Sequence, residues 1–434
     1  MKPTSLLALA ALTGSAAAQS LNVVDSFMRD LSITLRALAG SHPRRAFHRR
    51  IPGQPVKRCI HPGNGYPGGD NSTSTTSMSR TVSASVTSTG TRSSTSTRTS
   101  TTSSTTRAST STTTSATSTT TSSAATPSSA WKLQQTMAGS GFFDQWDFWT
   151  AADPTNGVVD YQSRENAQAN ELIEINSVGN AIMRIENTTQ VAGNRKSVRI
   201  SSKYIMSGGL AVLDAVHMPY GCGTWPAWWT ADVPNWPNNG EIDIVEGVNG
   251  YVRNHVALHT ASGCTIPNEF GASATLVSST NCAAYETSNL GCGQLTTLSN
   301  TYGKSFNDNG GGVYAMLWQT TGISVYFFPR GAIPSDITSE APQPSTWGIP
   351  MANFPNTSCD PATYMKNHQI IFTSTLCGDW AGSSGAWMTN GLGGQIDSCS
   401  ASTGVGSCVD YIRNNGATFT DAYWEVKSVK VYTT

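Results

Sequence analysis

Charge is scarce in this 434-residue sequence: 12% of its residues are Asp, Glu, Lys or Arg, and the formal net charge is zero. That balance gives no reason to expect a nucleic-acid partner. The basic residues that do cluster, Arg44, Arg45, Arg49, Arg50, Lys57 and Arg58, precede the first tryptophan, Trp131, and suit a processing segment. Long apolar runs are missing as well. None reaches the ~20 residues that a helix needs to cross a bilayer, so no membrane insertion is expected. No Cys-x-x-Cys pair offers a zinc site, and neither G-x-S-x-G nor H-E-x-x-H occurs. "GKS" at 303–305 lacks the glycine that a phosphate loop carries five residues before Gly303. No cofactor and no metal are called for, and a monomer is expected.

The chain opens with "MKPTSLLALAALTGSAAAQS": one positive charge at Lys2, a short apolar run, then small residues ending at Ala18. This is the order of a secretory signal peptide, residues 1–18, and it implies a secreted protein, extracellular or in the cell wall. Residues 19–69, with their dibasic pairs, suit a pro-region. Residues 70–130 form a Ser/Thr-rich linker: 44 of residues 71–130 are Ser or Thr, and none is aromatic or acidic. Such a segment has too little apolar surface to offset chain entropy, so a disordered, glycosylated stalk is expected. From 131 to 434 the composition is globular and holds all twelve tryptophans. Eight of the nine cysteines, Cys222, Cys264, Cys282, Cys292, Cys359, Cys377, Cys399 and Cys408, fall there, enough for four disulfides among about a hundred possible pairings. Cys59 stands alone upstream. Asn71, Asn187 and Asn356 head Asn-x-Ser/Thr sequons.

Within 131–434 the strand signals are frequent and no long segment holds a helical period. "GGVYAMLWQTTGISVYFFPR" predicts a hairpin of 313–319 with 323–328, and "ELIEI", "AIMRIE", "HQIIFTSTL" and "YWEVKSVKVY" are further strands. The expected fold is all-β, a curved antiparallel β-sandwich.

"NNGEIDIVEGVNG", residues 238–250, carries acids at Glu241, Asp243 and Glu246, first two apart and then three. In a regular strand Glu246 would share a face with Ile242 and Ile244, an expensive placement for a carboxylate. One β-bulge near Ile244–Val245 returns Glu246 to the side of Glu241 and Asp243. Four effective strand steps then separate the two glutamate Cα atoms by roughly 13 Å, and side chains leaning together narrow the gap. A carboxyl separation of ~5–5.5 Å is the geometry of retaining glycosidases. Asp243 between them would help split the two pKa values. "GTWPAWWTADVPNWPNNG", just before the acids, adds Trp225, Trp228, Trp229 and Trp236, more flat apolar rings than one core strand needs. Such rings suit the apolar faces of sugars. Trp380 in "CGDWAG" offers another.

"GEIDIVEG" resembles the E-x-D-x-x-E motif of glycoside hydrolase family 16, the β-jelly-roll glucanases. The resemblance runs through "FFDQWDFWTAADPTNGVVDYQ", "SVRI", "HMPYGCGTWPAWW", "ALHT", "FNDNGGGVYAMLW", "FFPR", "CGDWAG" and "AYWEVKSVKVY", and so spans 131–434. It resembles in particular the fungal endo-1,3(4)-β-glucanases, or laminarinases. The resemblance implies a concanavalin-like jelly roll with Glu241 as nucleophile, Glu246 as general acid/base and Asp243 as assisting acid. It also places His259 near the acid/base, and Arg199, Trp229, Trp236 and Trp380 along the substrate cleft. Trp228 stands where the family pattern has a smaller residue, which would alter the cleft beside it. The implied activity is endo-hydrolysis of β-1,3- and mixed β-1,3/1,4-glucans with retention. Glu246 would be held protonated by nearby negative charge and partial burial, and Glu241 ionised. Two alternatives stay open: a transglycosylase acting on wall β-glucan with the same acids, and a non-catalytic glucan-binding protein.

Overall fold

The computed structural model describes residues 129–434. The leader, the basic segment with Cys59 and the Ser/Thr tract with Asn71 lie outside the described residues. Period-2 runs of apolar residues form two eight-stranded sheets, and every strand pairing within them is antiparallel. The expected hairpin is present as Gly312–Gln319 with Gly322–Pro329, and "HQIIFTSTL" is a strand over its full length, His368–Leu376. A pair of short strands, Val159–Tyr161 and Arg195–Ser197, runs parallel.

The acid-bearing sheet has the strand order Thr275–Leu276, Cys292–Leu295, His255–His259, Glu241–Glu246, Thr224–Ala231, His368–Leu376, Arg199–Met206 and Trp146–Phe148. The acids thus lie on a central strand flanked by a tryptophan-rich one and a histidine-bearing one. The opposite sheet centres on Gly209–His217 and Tyr423–Thr433. Between the sheets, Phe372 touches Trp146, Trp228 and Trp424, and the core takes in Ile242, Ile244, Val245, Val256 and Leu258. Each such apolar side chain contributes about 1.5–3 kcal/mol when removed from water. Trp228 is fully buried in this core, so its bulk does not reshape the solvent-facing surface, contrary to the sequence expectation.

All eight cysteines of the domain are paired: Cys222–Cys399, Cys264–Cys359, Cys282–Cys292 and Cys377–Cys408. Two of these bonds anchor a stretch of short helices between Gly378 and Asn414 that the sequence pattern did not announce. Each helix has four to seven residues, too few for a 3.6-residue period to stand out. Among the described residues no helix is long and apolar enough to cross a membrane.

Candidate active site

The acid strand is bulged where the spacing requires it. Toward His255–His259 its register runs Glu241 to His259, Ile242 to Leu258 and Asp243 to Ala257, then skips to Glu246 opposite His255. Toward Thr224–Ala231 the same skip falls between Asp243 and Val245. Ile244 and Val245 are both fully buried, while Glu241 and Glu246 keep partial access to solvent. The extra residue therefore puts three apolar side chains into the core and all three acids on the other face.

A bulge leaves backbone groups without ladder partners, and Asn254 supplies them. Its side chain accepts from the Glu246 amide at 3.0 Å and donates to the Ile244 carbonyl at 2.8 Å. Asn254 is fully buried, and its own amide donates to Thr301 Oγ1 at 2.9 Å. Tyr302 Oη lies 2.9 Å from the carbonyl oxygens of both Pro226 and Gly247 and shares its one proton between them, fixing the strand end.

Glu246 is held from two sides. Trp225 Nε1 donates to its Oε1 at 3.0 Å, and His255 Nδ1 lies 3.3 Å from its Oε2. Trp380 packs edge-on against Trp225, Tyr251 and His255, at centroid distances of 5.6, 5.9 and 5.4 Å, and so backs that pair. His259 does not sit at Glu246 as expected. Its Nε2 lies 3.1 Å from Asp243 Oδ2, and His255 occupies the place beside Glu246. The reason is the strand register, which sets His259 opposite Glu241 and His255 opposite Glu246. From sequence Trp225 was read only as one of the flat rings suited to sugars, and His255 was not singled out. The signal for His255 was there: it and His259 are four apart on one strand and share a face.

Arg199 is nearly buried, its guanidinium lying 4.6 Å from the Trp149 ring centroid and 5.1 Å from that of Trp229. It braces these rings more than it lines an open surface. Burial pushes its pKa below the ordinary value, opposed by Tyr161, Asp153 and Glu241. Trp229 Nε1 donates to Thr373 Oγ1 at 2.8 Å, which fixes the ring plane. Trp236 lies beside Glu241, partly exposed, and favours the ionised form of that carboxyl without a well-formed hydrogen bond.

The electrostatics differ from the sequence expectation. Burial, reinforced by Asp243 and Glu246, pushes the Glu241 carboxyl up to about 8, against the opposing pull of His259. Burial and the Glu246 charge likewise raise Asp243, which is 2% exposed. At neutral pH the free site therefore keeps a proton on the Glu241–Asp243 pair, where an ionised Glu241 was expected. Desolvation of clustered carboxylates is the cause. Glu241, Asp243 and His259 also bring one ligand atom each within 4.8 Å of one another, a spacing that could hold a cation. A pocket lined by Glu174, Arg184 and Phe419 lies elsewhere and contains none of these residues.

Residues 146–432 match the description "XgeA-like, catalytic GH16 domain". A "Probable glycosidase" of Schizosaccharomyces pombe is 42% identical over 307 residues, 70% of this chain and 70% of that protein. An endo-1,3(4)-beta-glucanase of Arthroderma benhamiae is 40% identical over 312 residues, 70% of this chain and 65% of its own length. The chain spans less than half the length of the Aspergillus relatives it matches, 40% for that of Aspergillus niger. Among solved structures, Laminarinase 16A from Phanerochaete chrysosporium, holding two β-glucans in donor and acceptor sites, is 40% identical with a TM-score of 0.64. The match covers 70% of this chain and 99% of that one. An elongating GH family 16 β-1,3-glucosyltransferase is 38% identical with a TM-score of 0.62, covering 70% and 100%. The fold is thus the β-jelly-roll sandwich of these enzymes, and the chain belongs to glycoside hydrolase family 16.

Proposed function

We propose that this domain is an endo-β-glucanase that cleaves internal linkages of β-1,3- and mixed β-1,3/1,4-glucans by retaining double displacement. Glu241 is the nucleophile, Glu246 the general acid/base and Asp243 the group that manages the proton between them. The observation that carries this reading is the Asn254-clamped bulge, which sets all three acids on one face of the sheet. Glu246, oriented by Trp225 and His255, gives its proton to the glycosidic oxygen as the C1–O bond breaks. Glu241 adds to C1 from the opposite face, forming a glycosyl ester. Glu246 then takes a proton from water as the water oxygen displaces Glu241, which restores both carboxyls. The raised proton affinity of the buried pair gives Asp243 its part: for Glu241 to attack as carboxylate, the shared proton sits on Asp243. Partly exposed Trp229, Trp236 and Trp380 supply ring faces for glucose units.

The leader and the paired cysteines support secretion to the exterior or the cell wall. The elongating relative favours one second reading, glucosyl transfer to a sugar acceptor in place of water. The test is reducing-end release from laminarin and lichenan by the protein and by Glu241→Ala. Activity that survives in the variant removes Glu241 from the nucleophile role. Proton NMR of the first products distinguishes retention, as initial β-anomer, from inversion. Products longer than the starting oligosaccharide would establish transfer.

A further inference from the structure

Tyr285 is the only aromatic residue among those described that stands mostly in solvent, at 78% exposure. It lies in the loop closed by Cys282–Cys292, which runs along the histidine-bearing strand at the Glu241 end of the acid strand. Its ring meets that of Trp236 edge to face, at a centroid distance of 5.8 Å and an angle of 86°. Trp236 in turn neighbours Glu241. A large ring in water costs free energy unless something covers it, and here nothing within the described residues does.

The loop that displays Tyr285 is rigidly built. Besides the disulfide, Asn281 Nδ2 donates to Glu286 Oε2 at 2.8 Å, Ser262 donates to the other oxygen of Glu286, and the Ala283 amide donates to Asn281 Oδ1 at 2.9 Å. Thr287 Oγ1 donates to the Ala283 carbonyl at 2.9 Å and accepts from the Gly291 amide at 2.9 Å. The Ala284 amide donates to the Thr260 carbonyl at 2.9 Å, fastening the loop to the strand beside the acids. Gly291 closes so tightly on His259 that an added Cβ would lie 3.0 Å from its Nδ1. A ring held on such a frame loses little conformational entropy when a ligand covers it.

From this arrangement we propose that Tyr285 and Trp236 together form an outer glucosyl-binding subsite, in which the Tyr285 face stacks on a glucose unit beyond the one that meets Trp236. The subsite rests on the β-glucan reading above and deepens it. Its chemistry suits a neutral sugar better than a protein: Tyr285 is followed in its loop by the polar residues Glu286, Thr287, Ser288 and Asn289, and the Glu286 charge is already engaged by Ser262 and Asn281. A protein partner would need a contiguous apolar patch.

The test compares full-length wild type, Tyr285→Ala and Tyr285→Phe on a ladder of β-1,3-gluco-oligosaccharides of increasing length. For chains long enough to reach the loop, Tyr285→Ala raises KM about tenfold, the loss that accompanies forgoing roughly 50 Å² of apolar contact. The kcat stays at the wild-type value, short chains are unaffected, and Tyr285→Phe behaves as wild type because the ring face is retained. Wild-type KM for Tyr285→Ala at every length would overturn the subsite while leaving the enzymatic reading intact. So would an equal loss at all lengths, which would mean that Tyr285 acts by propping Trp236. A wild-type protein that neither cleaves nor binds any β-1,3-glucan would overturn both.

Discussion

Replacing Glu241 with Gln should stabilise the protein, and increasingly so as pH rises. The Glu241 carboxyl is raised from 4.5 to about 8, chiefly by burial. Between those values the native state holds a proton that the unfolded chain has lost, so stability falls as pH increases across that window. Below 4.5 both states are protonated and the group contributes no slope. Each pH unit inside the window costs about 1.36 kcal/mol, for a ceiling of about 5 kcal/mol by pH 8. Glu241 is partly exposed to solvent, which softens the desolvation, so about half of that ceiling, ~2–3 kcal/mol, is expected. Gln keeps the shape and removes the titration. For a domain of this size the gain corresponds to about 3–5 °C in Tm. Thermal melts of wild type and Glu241→Gln at pH 4 and pH 8 measure it. The difference between the two proteins should be small at pH 4 and favour the variant at pH 8, and the variant should be inactive. A difference that does not change with pH, or one that favours wild type at pH 8, would refute the assignment of a buried, proton-holding Glu241.

Three further outcomes follow from the same geometry. Asp243→Asn removes the carboxyl that can hold the shared proton, and initial rates on laminarin should show kcat lowered by roughly 10²–10⁴ with little change in KM. A wild-type kcat would end the proton-holding role. Trp225→Phe deletes the N–H that holds Glu246 Oε1 at 3.0 Å; a hydrogen bond to a charged group contributes about 1.5–3 kcal/mol, so kcat/KM should drop by roughly 10- to 100-fold. Asn254→Ala orphans the Glu246 amide and the Ile244 carbonyl, which urea unfolding should report as about 2–3 kcal/mol of lost stability, accompanied by lost activity. An active, wild-type-stable Asn254→Ala would show that the bulge holds itself.

The strands were legible where the residue pattern is locally sufficient. His368–Leu376 is β-branched and aromatic along most of its length, and the hairpin turn between Gln319 and Gly322 is marked by a glycine with φ of 138°. The bulge was legible because a carboxylate among isoleucines is costly enough to dictate a register change. What surrounds the acids was not legible to the same degree. Asn254 is an ordinary polar residue in sequence, and its worth appears only when two unpaired backbone groups of another strand meet it. His255, not His259, faces Glu246 because pairing register, not composition, decides which acid each histidine meets. The cysteine pairing has the same character: Cys222 meets Cys399 across 177 residues, a contact that no local pattern announces. The proton affinity of Glu241 likewise belongs to the assembled cluster and not to the motif.

The cost of that cluster bears on whether the site binds glucan or cleaves it. A binding surface gains from groups that reach the sugar, and Asp243, at 2% exposure, scarcely can. Its carboxyl is desolvated and lies close to the Glu246 carboxyl, and both raise its proton affinity. Replacing it with a neutral side chain would relieve both penalties, and a protein that only held glucan would keep its tryptophan faces intact. Catalysis changes the balance, because a group that accepts a proton as its neighbour attacks is useful in proportion to how closely their proton affinities match. Burial raises both members of the pair together, so a proton stays within the pair and Asp243 can hold it while Glu241 attacks. A glucan-binding module would have no use for a proton held there. A retaining glycosidase does, and the destabilisation that pH-dependent melts should detect in Glu241 is the thermodynamic trace of it.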